Sequence, residues 1–180
     1  CIANAKATES ERVRMDKLCA AIVLTSQGIA FLHAGEEFLR TKRGHENSYN
    51  LPDAINRLDW DRKSRHRDVV AYYLGLIALR KAHPAFRMRR AADIRRFLRF
   101  LNAPGPDVVV FLIRRRANGH GPALLVAYNG GASKRSIALP HAPWDVLVDD
   151  RAAGITPLRR IEGRSAVVPG HSALVLAAAT

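Results

Sequence analysis

One short apolar run, Ile29 to Leu32, stands between two helical patterns and ends abruptly in His33, Gly35, Glu36 and Glu37. That is how a buried parallel strand reads when it delivers polar groups to the rim of a sheet or barrel. A lone strand has nothing to pair with, so a single βα unit does not make a domain. The expectation is that the N-terminal third is one end of a larger α/β fold.

The flanking segments support this reading. Thr8 followed by Glu11 is a capping box. Val13, Leu18, Ile22 and Val23 then give a helical apolar pattern, so residues 9–26 are expected to be a helix that Gly28 stops. Residues 35–63 hold Gly, Asn, Pro and Asp without sustained periodicity. A loop of that length in a compact domain is usually functional. Asp61 or Ser64 caps a second expected helix over 65–82, with Val69, Val70, Tyr73, Ile77 and Arg80 at inner and flanking positions. His83-Pro84 stops it.

After about residue 92 the texture changes to short alternating runs: 108–113, 124–128, 136–139, 144–148, 165–168 and 173–176. Turn signals separate them at Pro104-Gly105-Pro106, Asn118-Gly119, Asn129-Gly130-Gly131, Ala153-Gly154 and Pro169-Gly170. Short strands at such spacing predict an antiparallel sandwich. The fold class is therefore α/β plus all-β, with residues 1–91 in the α/β part and 92–180 in a β domain packed on the helix of 65–82.

Composition narrows the function classes. The 180 residues are 48% hydrophobic, enough for a core, and the apolar runs are far too short for a membrane helix. No basic region followed by an apolar block marks a signal peptide, and location stays open between extracellular and cytoplasmic. A net charge of +13 suggests a nucleic-acid partner, but only six of the 29 basic residues are Lys and the Arg residues scatter from Arg12 to Arg164. The densest runs, 87–90, 95–96 and 114–116, read as solvated faces without the aromatics of a base-stacking surface. Cys1 and Cys19 make no disulfide framework, and Cys19 is expected to be buried. No Cys/His cluster has zinc spacing.

The segment from Gly28 to Trp60 resembles the last strand and following loop of type I pullulanases, α-1,6-debranching enzymes of the α-amylase superfamily. The likeness runs through His33–Phe38 (HAGEEF), Arg40–Lys42 (RTK), Asn47–Asn50 (NSYN), Pro52-Asp53 and the Asn56-Arg57-x-Asp59-Trp60 pattern, and on through Gly75–Met88. The run at Arg43-Gly44-His45-Glu46 departs from the family's usual Gly-Asn-His-Asn. The resemblance implies the seventh helix, eighth strand and eighth helix of a (β/α)8 barrel, then the C-terminal β domain, to which 146–154 and 167–176 are also similar. The implied activity is retaining hydrolysis of α-1,6 bonds in pullulan, glycogen or limit dextrin. The implied partners are an α-glucan and the remainder of the barrel.

Retaining hydrolysis needs two carboxyl groups roughly 5 Å apart across the scissile bond. Glu36 and Glu37 are adjacent, so on a continuing strand they point to opposite faces and cannot fill both roles. In the family the nucleophile, the acid and the stabilising aspartate follow strands four, five and seven, and their motifs are absent here. No catalytic residue is therefore assigned, and the chain alone is expected to be inactive. Asp53 and Arg57 present a carboxylate and a guanidinium in one short segment, able to bond sugar hydroxyls or to pair with each other. The resemblance implies that this pair holds a glucose unit on the non-reducing side of the cleaved bond. Weaker candidates are Asn47, Tyr49 and Asn50, together with His45. The two Asn residues equally suit Asx turns, and Tyr49 suits packing. His33 is read either as a rim residue or as a core histidine, and Trp60 and Trp144 as core. No cofactor is identified. Calcium is what the family often carries, and no ligand for it can be placed. The alternatives are a non-catalytic α-glucan-binding module and a basic nucleic-acid-binding protein.

Overall fold

The computed structural model describes residues 6–115, 117, 121–140 and 143–179. The expected turn at Asn118-Gly119, as well as Cys1 and Arg116, lies outside the described residues. Among the described residues, five α-helices come first: α1 (Glu9–Thr25), α2 (Asp53–Asn56), α3 (Asp61–Arg65), α4 (Arg67–Ala82) and α5 (Ala91–Phe97). Eight strands follow: β1 (Leu98–Phe100), β2 (Val108–Ile113), β3 (Leu124–Asn129), β4 (Arg135–Ala138), β5 (Trp144–Val148), β6 (Arg159–Ile161), β7 (Ser165–Val168) and β8 (Ser172–Ala178). One antiparallel sheet has the order β1-β2-β3-β8-β5-β6, and β4 pairs with β7 in a second.

The large sheet is covered on both faces. Leu124, Val126 and Tyr128 of β3 join Ala173, Val175 and Ala177 of β8 under the helices. Leu125 and Ala127 of β3 join Leu174 and Leu176 of β8, Trp144, and Ile137 and Val168 of the small sheet. Successive residues of a strand point to opposite faces, so a strand apolar at every position is one covered on both sides. All six residues of β3 and the first six of β8 are buried accordingly.

Helix α1 begins as its sequence demands. The Thr8 hydroxyl accepts the Glu11 N–H at 3.2 Å, and the Glu11 carboxylate accepts the Thr8 N–H at 2.8 Å. Its last turn holds no basic residue, and Arg80 of α4 supplies one. The guanidinium donates to the carbonyls of Leu24 at 2.9 Å, Ser26 at 2.8 Å and Gly28 at 2.5 Å. A cation there satisfies orphan carbonyls and complements the helix dipole. Lys17 of α1 pairs with Asp68 of α4 at 2.9 Å.

The helix of α4 docks on the turn after β5 through two contacts. The Tyr72 hydroxyl donates to the Asp149 carbonyl at 3.1 Å. At Gly75 a β-carbon would stand 1.9 Å from the Ala153 carbonyl oxygen, so only glycine allows this approach. Helix α1, not α4, supplies most of the cover over β3 and β8.

Several expectations differ from the structure. Residues 29–32 form no strand; they have no ladder partner among the described residues, and Ile29 is fully exposed and Phe31 82% exposed. A strand exists only through hydrogen bonds to a neighbour, and none is at hand. Glu36 and Glu37 therefore do not alternate across a strand but lie in a 3-10 turn, Glu36–Phe38. Cys19 is exposed, because Leu18, Ala20, Ala21 and Leu24 carry the buried side of α1 while Ile22 is 38% exposed. The buried face of α4 is Val69, Tyr72, Tyr73, Leu76, Leu79 and Arg80, which includes the expected Val69, Tyr73 and Arg80, with Val70 and Ile77 half-buried at its flanks. The N-cap of α4 is His66 and neither Asp61 nor Ser64, since α3 occupies those residues. Helix α5 and the short strands β1 and β6 were not anticipated.

Candidate functional site

The polar loop of residues 33–62 is held by side-chain hydrogen bonds. None of residues 39–60 is fully buried, so apolar packing contributes little to its shape. It begins at Gly35, whose φ of +97° is left-handed and whose absent side chain leaves room for Arg40, 2.8 Å from where a β-carbon would lie. Leu39 and Arg43 also adopt left-handed backbone, at φ 57° and 53°. Non-glycine residues in that region are strained and gather at functional segments.

Asn56 is the centre of the loop. Its Nδ2 donates to the carbonyls of Ser48 and Leu51, each at 2.7 Å. Its Oδ1 accepts from Lys42 Nζ at 2.6 Å and from Ser48 Oγ at 2.9 Å. Its backbone carbonyl accepts from Arg40 Nη2. Arg40 Nη1 reaches back to the Ala34 carbonyl at 3.3 Å, and Arg62 Nε donates to the Leu39 carbonyl at 2.9 Å. Both ends of the loop are thereby tied to its middle.

This lattice places the candidate residues. Asp53 opens α2 and Arg57 follows its last residue, with the Arg57 N–H donating to the Asp53 carbonyl at 2.8 Å. Both side chains are exposed, and neither forms an ion pair among the described residues. A mutual salt bridge is thus not what these groups make. Asn47 and Asn50 are exposed with no side-chain hydrogen bond among the described residues, so no Asx turn uses them. Tyr49 is 84% exposed and does not pack. His45 is exposed. His33 is exposed as well, its Nε2 3.5 Å from Arg40 Nη1, and is no core histidine. Trp144 is fully buried, but Trp60 is 62% exposed and rests against Phe38 with ring centroids 5.4 Å apart.

Glu37 turns inward and accepts the Gly35 N–H at 3.0 Å. Glu36 lines a cleft of about 770 Å³ between α1, α4 and residues 31–41, along with Asp16, Cys19, His33 and Tyr73. Burial pushes the Asp16 carboxyl up to about 7, against the Tyr73 hydroxyl that donates to it at 3.1 Å, and the Glu36 charge adds to the rise. Partial desolvation on the cleft side of the otherwise exposed Cys19, with the Asp16 and Glu36 charges, raises its thiol. Among the described residues no group of three or more His, Cys, Asp or Glu could hold a metal ion, so none is assigned to calcium.

Arg40, Lys42, Ser48 and Asn56 escaped sequence reasoning as a working set. All four stand inside the motifs quoted above, which was the available signal, but their mutual contacts are not periodic.

Three comparisons bear on this arrangement. The family described as "Pullulanase, all-beta domain" matches residues 94–152. The curated pullulanase of Bacillus subtilis strain 168 is 54% identical over 93 residues, covering 52% of this chain and 13% of that protein. Among solved structures, the pullulanase from Bacillus acidopullulyticus superposes with a TM-score of 0.91 at 39% identity over 97% of this chain and 22% of that one. The type I pullulanase from Bacillus subtilis strain 168, complexed with maltose, gives 0.90 at 34% identity over 99% and 25%. The chain spans a quarter or less of the length of these relatives. Along nearly its whole length, its mixed helices and antiparallel sheets are similar to the C-terminal portion of type I pullulanases.

Proposed function

We infer that this chain is the C-terminal portion of a debranching glycoside hydrolase that cleaves α-1,6-glucosidic bonds in pullulan, glycogen or starch dextrins. Its N-terminal third would close a (β/α)8 barrel, with residues 29–32 as the strand that pairs once the rest of the barrel is present. The exposed Ile29 and Phe31 are the apolar surface such a neighbour would cover. The two carboxyl groups of a retaining mechanism, roughly 5 Å apart, would stand on that remainder.

The part assigned to this chain is substrate binding. One observation carries it: Asp53 and Arg57 are exposed, unpaired with each other and fixed on either side of Asn56. A carboxylate accepts from sugar hydroxyls and a guanidinium donates to them, each charge-assisted bond being worth roughly 1.5–3 kcal/mol. His33, Asn47, Tyr49 and Asn50 lie on the same loop and would line the glucan path. The maltose bound to the Bacillus subtilis relative supports an α-glucan as the ligand class.

The test is reducing-sugar release by the complete enzyme from pullulan and from linear amylose, with the purified chain assayed beside it. Release from pullulan by the complete enzyme, and none by the chain alone, is expected. Hydrolysis by the pure chain, abolished by a point substitution within it, would overturn the assignment of catalysis to the remainder; a complete enzyme that attacks amylose and leaves pullulan intact would overturn the debranching reading.

A further inference from the structure

We propose that Asn56 is a positioning residue for this reaction: it sets the placement of Asp53 and Arg57, with Lys42 and Ser48 as its supports. The inference rests on the reading that Asp53 and Arg57 touch the glucan.

Asn56 is the last residue of α2, immediately before Arg57 and one helical turn after Asp53. Its side-chain amide has two donors and two acceptor positions, and the loop uses all four. The chemistry also fixes which way the amide faces. Two carbonyls stand on one side and an ammonium and a hydroxyl on the other. Turning the amide over would aim N–H groups at the ammonium and an oxygen at two carbonyls. Ser48 completes the arrangement, since its hydroxyl accepts from Lys42 Nζ at 2.8 Å while donating to Asn56 Oδ1. The Lys42 ammonium forms no ion pair among the described residues, so its orientation depends on these two neutral oxygens.

The same residue closes the loop over distance. Through Lys42, Ser48 and Leu51 it holds the outer loop; through its carbonyl and Arg40 it holds Ala34, at the edge of residues 29–34. No fully buried side chain between residues 39 and 60 duplicates this anchoring. Removing the amide therefore moves Asp53 and Arg57 and leaves the two apolar clusters intact. An error of an ångström or so in placement is enough to cost a large factor in rate.

The experiment uses the complete enzyme and a double-variant comparison. Asn56→Ala is expected to lower kcat/KM on pullulan about tenfold, with Tm within a few degrees of wild type. In an Asp53→Ala/Arg57→Ala background the same change is expected to cost less than about twofold, because nothing remains for it to place. Ser48→Ala, which deletes one support, is expected to cost about threefold with the same loss of effect in that background, and it decides the matter if Asn56→Ala does not fold. An Asn56→Ala enzyme within twofold of wild type, beside an impaired Asp53→Ala/Arg57→Ala enzyme, sinks the positioning role alone. An equal factor in both backgrounds sinks it too. A double variant with wild-type activity removes the substrate contacts and, with them, anything for Asn56 to position.

Discussion

Strands β3 and β8 and the loop of residues 33–62 are held by opposite means. Every residue of β3 is buried, between helices on one side and the β4–β7 sheet on the other. The loop buries Gly35 and Phe38 and is otherwise open, yet it is tied through one saturated amide, one ammonium and two guanidinium groups. Apolar burial is additive and forgiving of surface change; a polar hub is all or nothing. The strands therefore bear global stability, and the loop can carry charged, strained and exposed residues without risking the fold. That separation would let a substrate-facing segment exist on this chain.

The largest expected effect breaks the strand side of the contrast. Trp144→Ala deletes a fully buried side chain between the two sheets and should lower unfolding free energy by about 3–5 kcal/mol. Denaturant unfolding checks it; a loss below about 1 kcal/mol would mean that the sheets do not depend on that core.

A second prediction concerns the border between the regions, where Asp16 faces the cleft. With its carboxyl raised by burial from 3.8 to about 7, the folded chain holds the proton more tightly than the unfolded chain. The neutral form's contribution is thus full below about pH 4 and is lost as pH rises through about 7, with an upper bound of about 4 kcal/mol. Wild-type Tm should fall relative to Asp16→Asn across that window. Parallel melts from pH 4 to 8 would count against this if the two curves keep a constant gap.

The smallest effect sharpens the other side. Phe31→Ser in this chain should change stability by no more than about 0.5 kcal/mol, since the ring is 82% exposed. A drop comparable to that of Trp144→Ala would show that residues 29–32 pack against something in the chain itself.

Where physical signals are local, the sequence was legible. The capping box at Thr8 and Glu11 is present with both bonds, and 108–113, 144–148 and 165–168 match β2, β5 and β7 residue for residue. Alternation over four to six residues is enough to define such strands. Strands β1 and β6 have three residues each and carry arginine, so no pattern announces them. The apolar pattern of α1 announces the helix but not its inner face, where Ala20, Ala21 and Thr25 are buried while the larger Ile22 is exposed. Size is a poor guide where a helix lies close against a sheet.

In the loop, Asp53 and Arg57 were legible as a charged pair within a motif, and the structure leaves both exposed. The hub beneath them was not, because contacts from Asn56 to Lys42 and to Ser48 span 14 and 8 residues with no repeat to reveal them. Strand 29–32 failed for a different reason. An apolar run suggests burial, but pairing belongs to a neighbour and not to the run itself, and here Ile29 and Phe31 are exposed.

The central claim is that exposed Asp53 and Arg57 serve the substrate and not the fold. The direct measurement is kcat/KM on pullulan for Asp53→Ala and Arg57→Ala in the complete enzyme, with thermal melts of each. A fall of about ten- to a hundredfold with Tm within a few degrees of wild type is predicted. Activity near wild type, or a loss that only follows lost stability, would contradict it.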